Sequence, residues 1–148
     1  MKLVFISDTH GDLSLIKQVA LREYDADVFL HLGDVEAYPE EISPFVAIKG
    51  NCDSSLYHYP LERCISLPSG KTMFLRHIPL TEQEAEEIAK KGFSYFIHGH
   101  THRREDEIRG GIHHLCPGSL SKPRDGFYGS YLIMECGERG EKITFKTI

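Results

Sequence analysis

Seven side chains of a metal-binding kind stand in short polar clusters along this chain: Asp8 and His10 in "SDTHG", Asp34 in "LGD", Asn51 in "GNCD", His77 after "MFLR", and His100 and His102 in "HGHTH". One Asp-x-His proves little, because aspartate is common in ordinary turns. The recurrence carries the reading. Two carboxylates, four imidazoles and one amide supply hard oxygen and borderline nitrogen donors with no thiolate among them. Such a set suits Mn, Fe, Ni, Co or Zn at a working site more than a structural zinc knot. Six or seven donors exceed what one open catalytic metal uses, so the count points to two cations. One carboxylate can bridge two cations about 3.5 to 4 Å apart, and the pair can clamp the attacking and leaving oxygens of a phosphoryl transfer. Gly33, Gly50 and Gly99 immediately precede Asp34, Asn51 and His100, where glycine lets a backbone turn sharply beside an ion.

Apolar periodicity predicts the elements that must position these groups. "KLVFI", "DVFLHL" and "PFVAI" read as strands, and "DLSLIKQVALREY" as a helix capped by Asp12 with Leu13, Ile16 and Ala20 on one face. "RCISL", the turn "PSGK" and "TMFLR" form a hairpin. "TEQEAEEIAKK" opens with a Thr81–Glu84 capping box and reads as a second helix with a solvated acidic face. "FSYFI" is a further strand; "EIRGGIHHL" turns at Gly110-Gly111, and "YGSYLIMECGERGEKITFKTI" is a hairpin around "GERG". Strand-helix alternation followed by hairpins predicts a mixed sheet, or two packed sheets, with helices outside. Every polar cluster falls where an apolar strand ends. In open α/β sheets that edge binds ligands, so one site assembled from five loops is expected.

The chain's bounds exclude several classes. Its 148 residues, without linker or repeat, read as one domain spanning 1–148. A net charge of −5 argues against stable nucleic-acid binding by phosphate neutralisation. No apolar run approaches the roughly 18 residues of a membrane span and no signal peptide is apparent, so no membrane partner and a cytoplasmic location are expected. Cys52, Cys64, Cys116 and Cys136 form no C-x-x-C pair and read as reduced thiols. "PSGKT" has Ile65 where a phosphate loop needs its first glycine, and no G-x-S-x-G is present. Among the other histidines, His31 reads as packed or supporting a ligand, and His58, His113 and His114 as surface residues. His98 shares a strand face with His100 by period and is expected to support the ligands from behind. Arg124 reads either as facing a substrate phosphate or as a surface ion pair.

"DTHG", "LGD", "GNCD", the histidine after "MFLR" and "GHTH" together resemble the calcineurin-like metallophosphoesterases. The resemblance is to the small bacterial and archaeal phosphodiesterase branch, which also contains the retromer subunit with a degraded metal site. It runs from Asp8 through "PGSLSKPR" to Arg124. The resemblance implies a two-sheet αββα sandwich. It also implies a first metal on Asp8, His10, Asp34 and His102 and a second on Asp34, Asn51, His77 and His100. Asp34 is then the bridging carboxylate, a bridging hydroxide is the nucleophile, and Asp34, Asn51, His77 and His100 form the catalytic set. The implied cofactors are two divalent transition-metal ions, Mn first, with Ni, Fe, Co or Zn as alternatives. A small phosphodiester is the implied substrate, and the oligomeric state is left open to a homo-oligomer. A silent protein-interaction scaffold of the same fold is the alternative from another class; a phosphomonoesterase or nucleotide-processing enzyme is the alternative within it. Three residues depart from the family pattern: Cys52 replaces the histidine that many relatives place after the asparagine, Ile78 a glycine, and Cys116 an asparagine.

Overall fold

The computed structural model describes residues 1–148. In chain order the elements are β1 (Lys2–Ile6), α1 (Leu13–Arg22), β2 (Val28–His31), β3 (Val46–Ala47), β4 (Glu62–Ser66), β5 (Thr72–Arg76), α2 (Glu82–Lys90), β6 (Tyr95–Ile97), β7 (Arg104–Arg109), β8 (Ile112–Pro117), β9 (Ser130–Gly137) and β10 (Gly140–Thr147). They form two five-stranded mixed sheets, ordered β10-β9-β1-β2-β3 and β4-β5-β6-β8-β7.

The period-2 alternation of the strands decides what each face buries. In β1, Leu3 and Phe5 point between the sheets, where they meet Leu30, Met73, Leu75, Tyr95, Ile97 and Leu115. Val4 and Ile6 point the other way, onto Ile16 and Val19 of α1. The second sheet repeats the scheme, with Phe74 and Phe96 turned outward against Ile88 of α2. The layers are therefore helix, sheet, sheet, helix, as the resemblance implies. Burial of each large apolar side chain contributes about 1.5–3 kcal/mol, which is why strict alternation fixes the register.

Both helices start where the side chains prescribe. Asp12 caps α1 by accepting from the Leu15 amide at 3.2 Å, and Thr81 and Glu84 form the reciprocal capping box of α2. The "PFVAI" segment differs from expectation, since only Val46 and Ala47 pair as β3. Pro44 has no amide to donate, and the Lys49 amide turns away to the Pro60 carbonyl at 2.7 Å, so the segment stays a short edge strand. No helix is long and apolar enough to cross a membrane.

Topology brings the loops together. β1, β2 and β3 run parallel, as do β5 and β6, so five carboxyl ends lie along one rim of the sandwich. Within the second sheet the Gly99 N–H bonds the His77 carbonyl at 3.1 Å, and across the rim His77 Nδ1–H joins the two sheets by bonding the Leu32 carbonyl at 2.7 Å.

Candidate metal centre

Past the ends of β1, β2 and β6 the backbone turns left-handed. Asp8, His10, Asp34, His100 and His102 have φ of +52°, +46°, +57°, +73° and +59°. Positive φ is uncommon outside glycine, costs energy, and concentrates at functional sites. Here it swings five donor side chains out of the strand direction and into one gap.

Hydrogen bonds then hold each donor by one atom and leave the other free. Asp8 Oδ2 accepts from Ser7 Oγ at 2.5 Å and from the His100 amide at 3.0 Å, leaving Oδ1. Asp34 Oδ1 accepts from the Cys52 amide at 2.8 Å, leaving Oδ2. Three imidazoles donate Nδ1–H outward: His77 to the Leu32 carbonyl, His102 to the Lys122 carbonyl at 2.8 Å, and His10 to Glu36 Oε2 at 3.1 Å. Each therefore presents the Nε2 lone pair inward. His77 Nε2 lies 3.3 Å from Asp34 Oδ2 and 3.8 Å from Asp8 Oδ1. His102 Nε2 lies 3.2 Å from Asp8 Oδ1 and 3.3 Å from His10 Nε2. Asn51 and His100 stand on the exposed side, with His100 Nδ1 3.1 Å from Asn51 Oδ1 and the His100 ring edge-on to His77 at 5.4 Å.

This arrangement fits cations. Asp8 Oδ1 and His77 Nε2 are buried without a hydrogen-bond partner, and leaving such groups unpaired costs about 1–3 kcal/mol each unless something occupies the space between them. The donor atoms of Asp8, His10 and His102 lie within 4.8 Å of one another, and so do those of Asp8, Asp34 and His77. Asp8 is common to both groups, and Asp34 Oδ2 also reaches both sides, 3.3 Å from His77 Nε2 and 4.0 Å from His10 Nε2. Burial opposes ionisation of Asp34, yet His77 and the Cys52 amide outweigh it and hold the carboxyl far below its usual range. Burial likewise opposes protonation of His77, but the charges of Asp34 and Asp8 raise its pKa. The two shifts are reciprocal: the Asp34 carboxylate and the His77 imidazole each favour the charged form of the other.

The residues behind the donors were only partly legible. Asp53, the last residue of "GNCD", was given no role, yet its buried carboxylate accepts from the amides of Asp34 (2.9 Å), Gly50 (2.8 Å) and Glu36 (2.8 Å). It ties the Asp34 loop to the Asn51 loop; its place two residues after the asparagine was the available signal. Glu36, which holds His10, was also missed. His31 does support the site: Thr9 Oγ1 lies 2.8 Å from Nε2 and Nδ1 accepts from the Gly33 amide at 3.1 Å. Burial, with His77 adding to it, pushes His31 down to about 3.

Several expectations are corrected. His98 does not back the ligands; its Nε2 pairs with Glu105 at 3.0 Å and its ring stacks on Phe96 on the α2 side of the sheet. β6 ends at Ile97, and the turn through Gly99 breaks the period that joined His98 to His100. His114 is buried rather than exposed, its ring edge-on to Phe96, and His113 is half-buried against Asp106; His58 is exposed as expected. Gly33 does turn at φ +103°, but Gly50 and Gly99 are needed for space. A Cβ at Gly50 would collide with the Asp34 amide and carboxylate, and one at Gly99 would sit 2.8 Å from Asp8 Oδ2. Ile78 leaves the His77 loop well held, because Arg76 Nε donates to its carbonyl at 3.0 Å. Cys116 is a buried thiol pushed up to about 12 by burial, with Sγ 3.8 Å from Thr101 Oγ1 beneath the "GHTH" loop. Burial and the Asp34 charge also raise the Cys52 thiol.

The profile of the Calcineurin-like phosphoesterase superfamily domain matches residues 1–139. The chain belongs to this superfamily. It is thus a phosphoric ester hydrolase. The chain is 32% identical to the phosphodiesterase YfcE of Escherichia coli K12, over 91% of this chain and 88% of that protein. Among solved structures it is similar to a conserved uncharacterized protein of Streptococcus pneumoniae TIGR4, a predicted phosphoesterase, with TM-score 0.82, 27% identity, and coverage of 99% of this chain and 88% of that one. It also shares its fold with Vps29 of Entamoeba histolytica complexed with zinc, with TM-score 0.72, 19% identity, and coverage of 100% and 98%.

Proposed function

We propose that residues 1–148 act as one dinuclear metal-dependent phosphodiesterase domain. The observation that carries this reading is the facing pair of buried, unpartnered donors, Asp8 Oδ1 and His77 Nε2, amid inward lone pairs from His10 and His102. Asp8, His10, Asp34 and His102 would hold one cation, and Asp34, Asn51, His77 and His100 the other. Two divalent cations, manganese by preference, would supply the acidity that turns a water into a nucleophile and the charge that offsets the phosphoryl oxygens.

The chain's own residues do the rest. Asp34 carries negative charge to the middle of the site and stays ionised at neutral pH. The carbonyl bonds of His77 and His102 fix the tautomer that keeps Nε2 unprotonated. Asn51 and His100 are exposed where the other donors are buried or half-buried, so a substrate enters from their side. Cys52 stands exposed beside Asn51, and no imidazole occupies that place to protonate a leaving group. Similarity to YfcE supports the diester as the substrate.

The test is turnover of an aryl phosphodiester and monoester panel by the metal-stripped protein, with Mn, Ni, Mg and Zn added one at a time. Diesters should be hydrolysed faster than monoesters, and Mn should restore the most activity. Preference for monoesters would overturn the diester assignment. No turnover with any metal would favour a silent scaffold, the reading that the shared Vps29 fold keeps open.

A further inference from the structure

A third group of donors meets beside the catalytic gap. One ligating atom each from His10, Glu36 and Cys52 lies within 4.8 Å of the other two. Glu36 Oε2 sits 3.1 Å from His10 Nδ1, whereas the other ring nitrogen, Nε2, faces His102 at 3.3 Å. Backbone hydrogen bonds anchor both partners of His10: the Cys52 amide donates to Asp34 Oδ1 at 2.8 Å and the Glu36 amide to Asp53 Oδ1 at 2.8 Å. Glu36 and Cys52 are exposed and His10 is half-buried, so solvent reaches this group directly.

The donor types differ from those of the centre. A thiol, an imidazole and a carboxylate make the sulfur, nitrogen and oxygen set that zinc accepts, and three protein ligands leave a fourth position for water. The centre offers only oxygen and nitrogen, and thiolate sulfur selects zinc-like ions over manganese. Binding replaces the S–H bond of Cys52 with a sulfur–metal bond and sends that proton to solvent; thiolate and carboxylate then balance a divalent charge. His10 couples the two places, because a neutral imidazole has one lone pair. An ion on the Glu36 side takes that pair at Nδ1, the ring proton moves to Nε2, and His10 no longer serves the catalytic gap.

We propose that His10, Glu36 and Cys52 form an outer cation site, selective for zinc-like ions over manganese, whose occupation withdraws His10 from the catalytic centre and suppresses turnover. The site itself stands on the convergence of its three donors; only its effect on turnover rests on the phosphodiesterase reading above.

Manganese-loaded protein is titrated with cadmium, a spectroscopic substitute for zinc, while ultraviolet sulfur-to-metal charge-transfer absorption, bound manganese and aryl phosphodiester turnover are followed together. The absorption should saturate at one equivalent as turnover falls by at least about tenfold and manganese is released. Cys52→Ser should abolish the absorption, and Glu36→Gln should keep it but weaken cadmium affinity by at least about tenfold. Cys64→Ser, at the other exposed thiol, and His102→Ala, in the centre alone, should both retain it. No absorption in the native protein, or absorption that survives Cys52→Ser, overturns the site. Loss in His102→Ala as complete as in Cys52→Ser assigns the thiol to the catalytic centre and overturns it as well. Saturation with manganese and turnover undiminished overturns the coupling through His10. If the diester is never turned over, the phosphodiesterase reading has failed, and the absorption with its Cys52 and Glu36 variants still decides the site.

Discussion

Asp34 and Asp8 lie side by side, each with one oxygen tied down and one directed at the imidazoles. In the proposed centre Asp34 serves both cations, and His102 serves only one. Asp34→Asn should therefore cost at least about tenfold more in kcat/KM than His102→Ala, a further ~1.4 kcal/mol of transition-state stabilisation. The asparagine variant should also lose more metal, because an anionic bridge lowers the repulsion between the cations. Turnover and metal content measured together check this; an Asp34→Asn protein that keeps both metals and most of its rate removes the bridging role. At this scale the convergence of these side chains was legible because few residue types ligate metals and all of them fell at strand ends. Asp53 and Glu36 were not, since both act through hydrogen bonds that spacing does not encode. The left-handed backbone of five donors was equally hidden, because it is imposed by the surrounding structure against local preference.

The strands and helices were readable because two periods, 2 and 3.6, each sort apolar residues onto a single face. Leu3 and Phe5 against Val4 and Ile6 is one instance, and the capping box at Thr81 and Glu84 is another. The reading failed where periodicity stops. His98 was carried past the end of β6, and β3 was drawn too long because Phe45 and Ile48 are buried on opposite faces without both joining the ladder. The loops after β2 and β3 pack backbone against backbone at Gly50, which gives the tightest test at this scale. Gly50→Ala should destabilise the metal-free protein by about 1–3 kcal/mol through overpacking. It should also lower metal affinity, because the Asp34 carboxylate has to move. Thermal unfolding and metal titration read the two effects; native metal affinity in this variant would contradict the positioning argument.

At the scale of the whole molecule, one buried carboxylate joins the outer helix to three strands of its sheet. Glu23, at the end of α1, accepts from Lys146 of β10 at 2.9 Å and from Tyr131 of β9 at 2.8 Å, and pairs with Lys2 of β1 at 2.9 Å. Burial works to raise its pKa, but Lys146, Lys2 and Tyr131 prevail and hold it at about 2 against an ordinary 4.5. The folded pKa is the lower one, so the stabilisation is present above pH 4.5 and is lost as pH falls towards 2. Glu23→Gln should cost about 1–3 kcal/mol at neutral pH, and its unfolding free energy should converge with the native value on acidification through that window. A gap that stays constant across the window would mean that Glu23 is not ionised as described. The sandwich itself exists, in functional terms, to bring five strand ends from two sheets to one rim, and the claim that this rim holds two cations is open to direct measurement. Chelated protein is titrated with Mn while bound metal and aryl phosphodiester turnover are followed together. The account predicts no turnover without metal and a rise that saturates at two equivalents; full activity in the metal-free protein, or saturation at one equivalent, would contradict it.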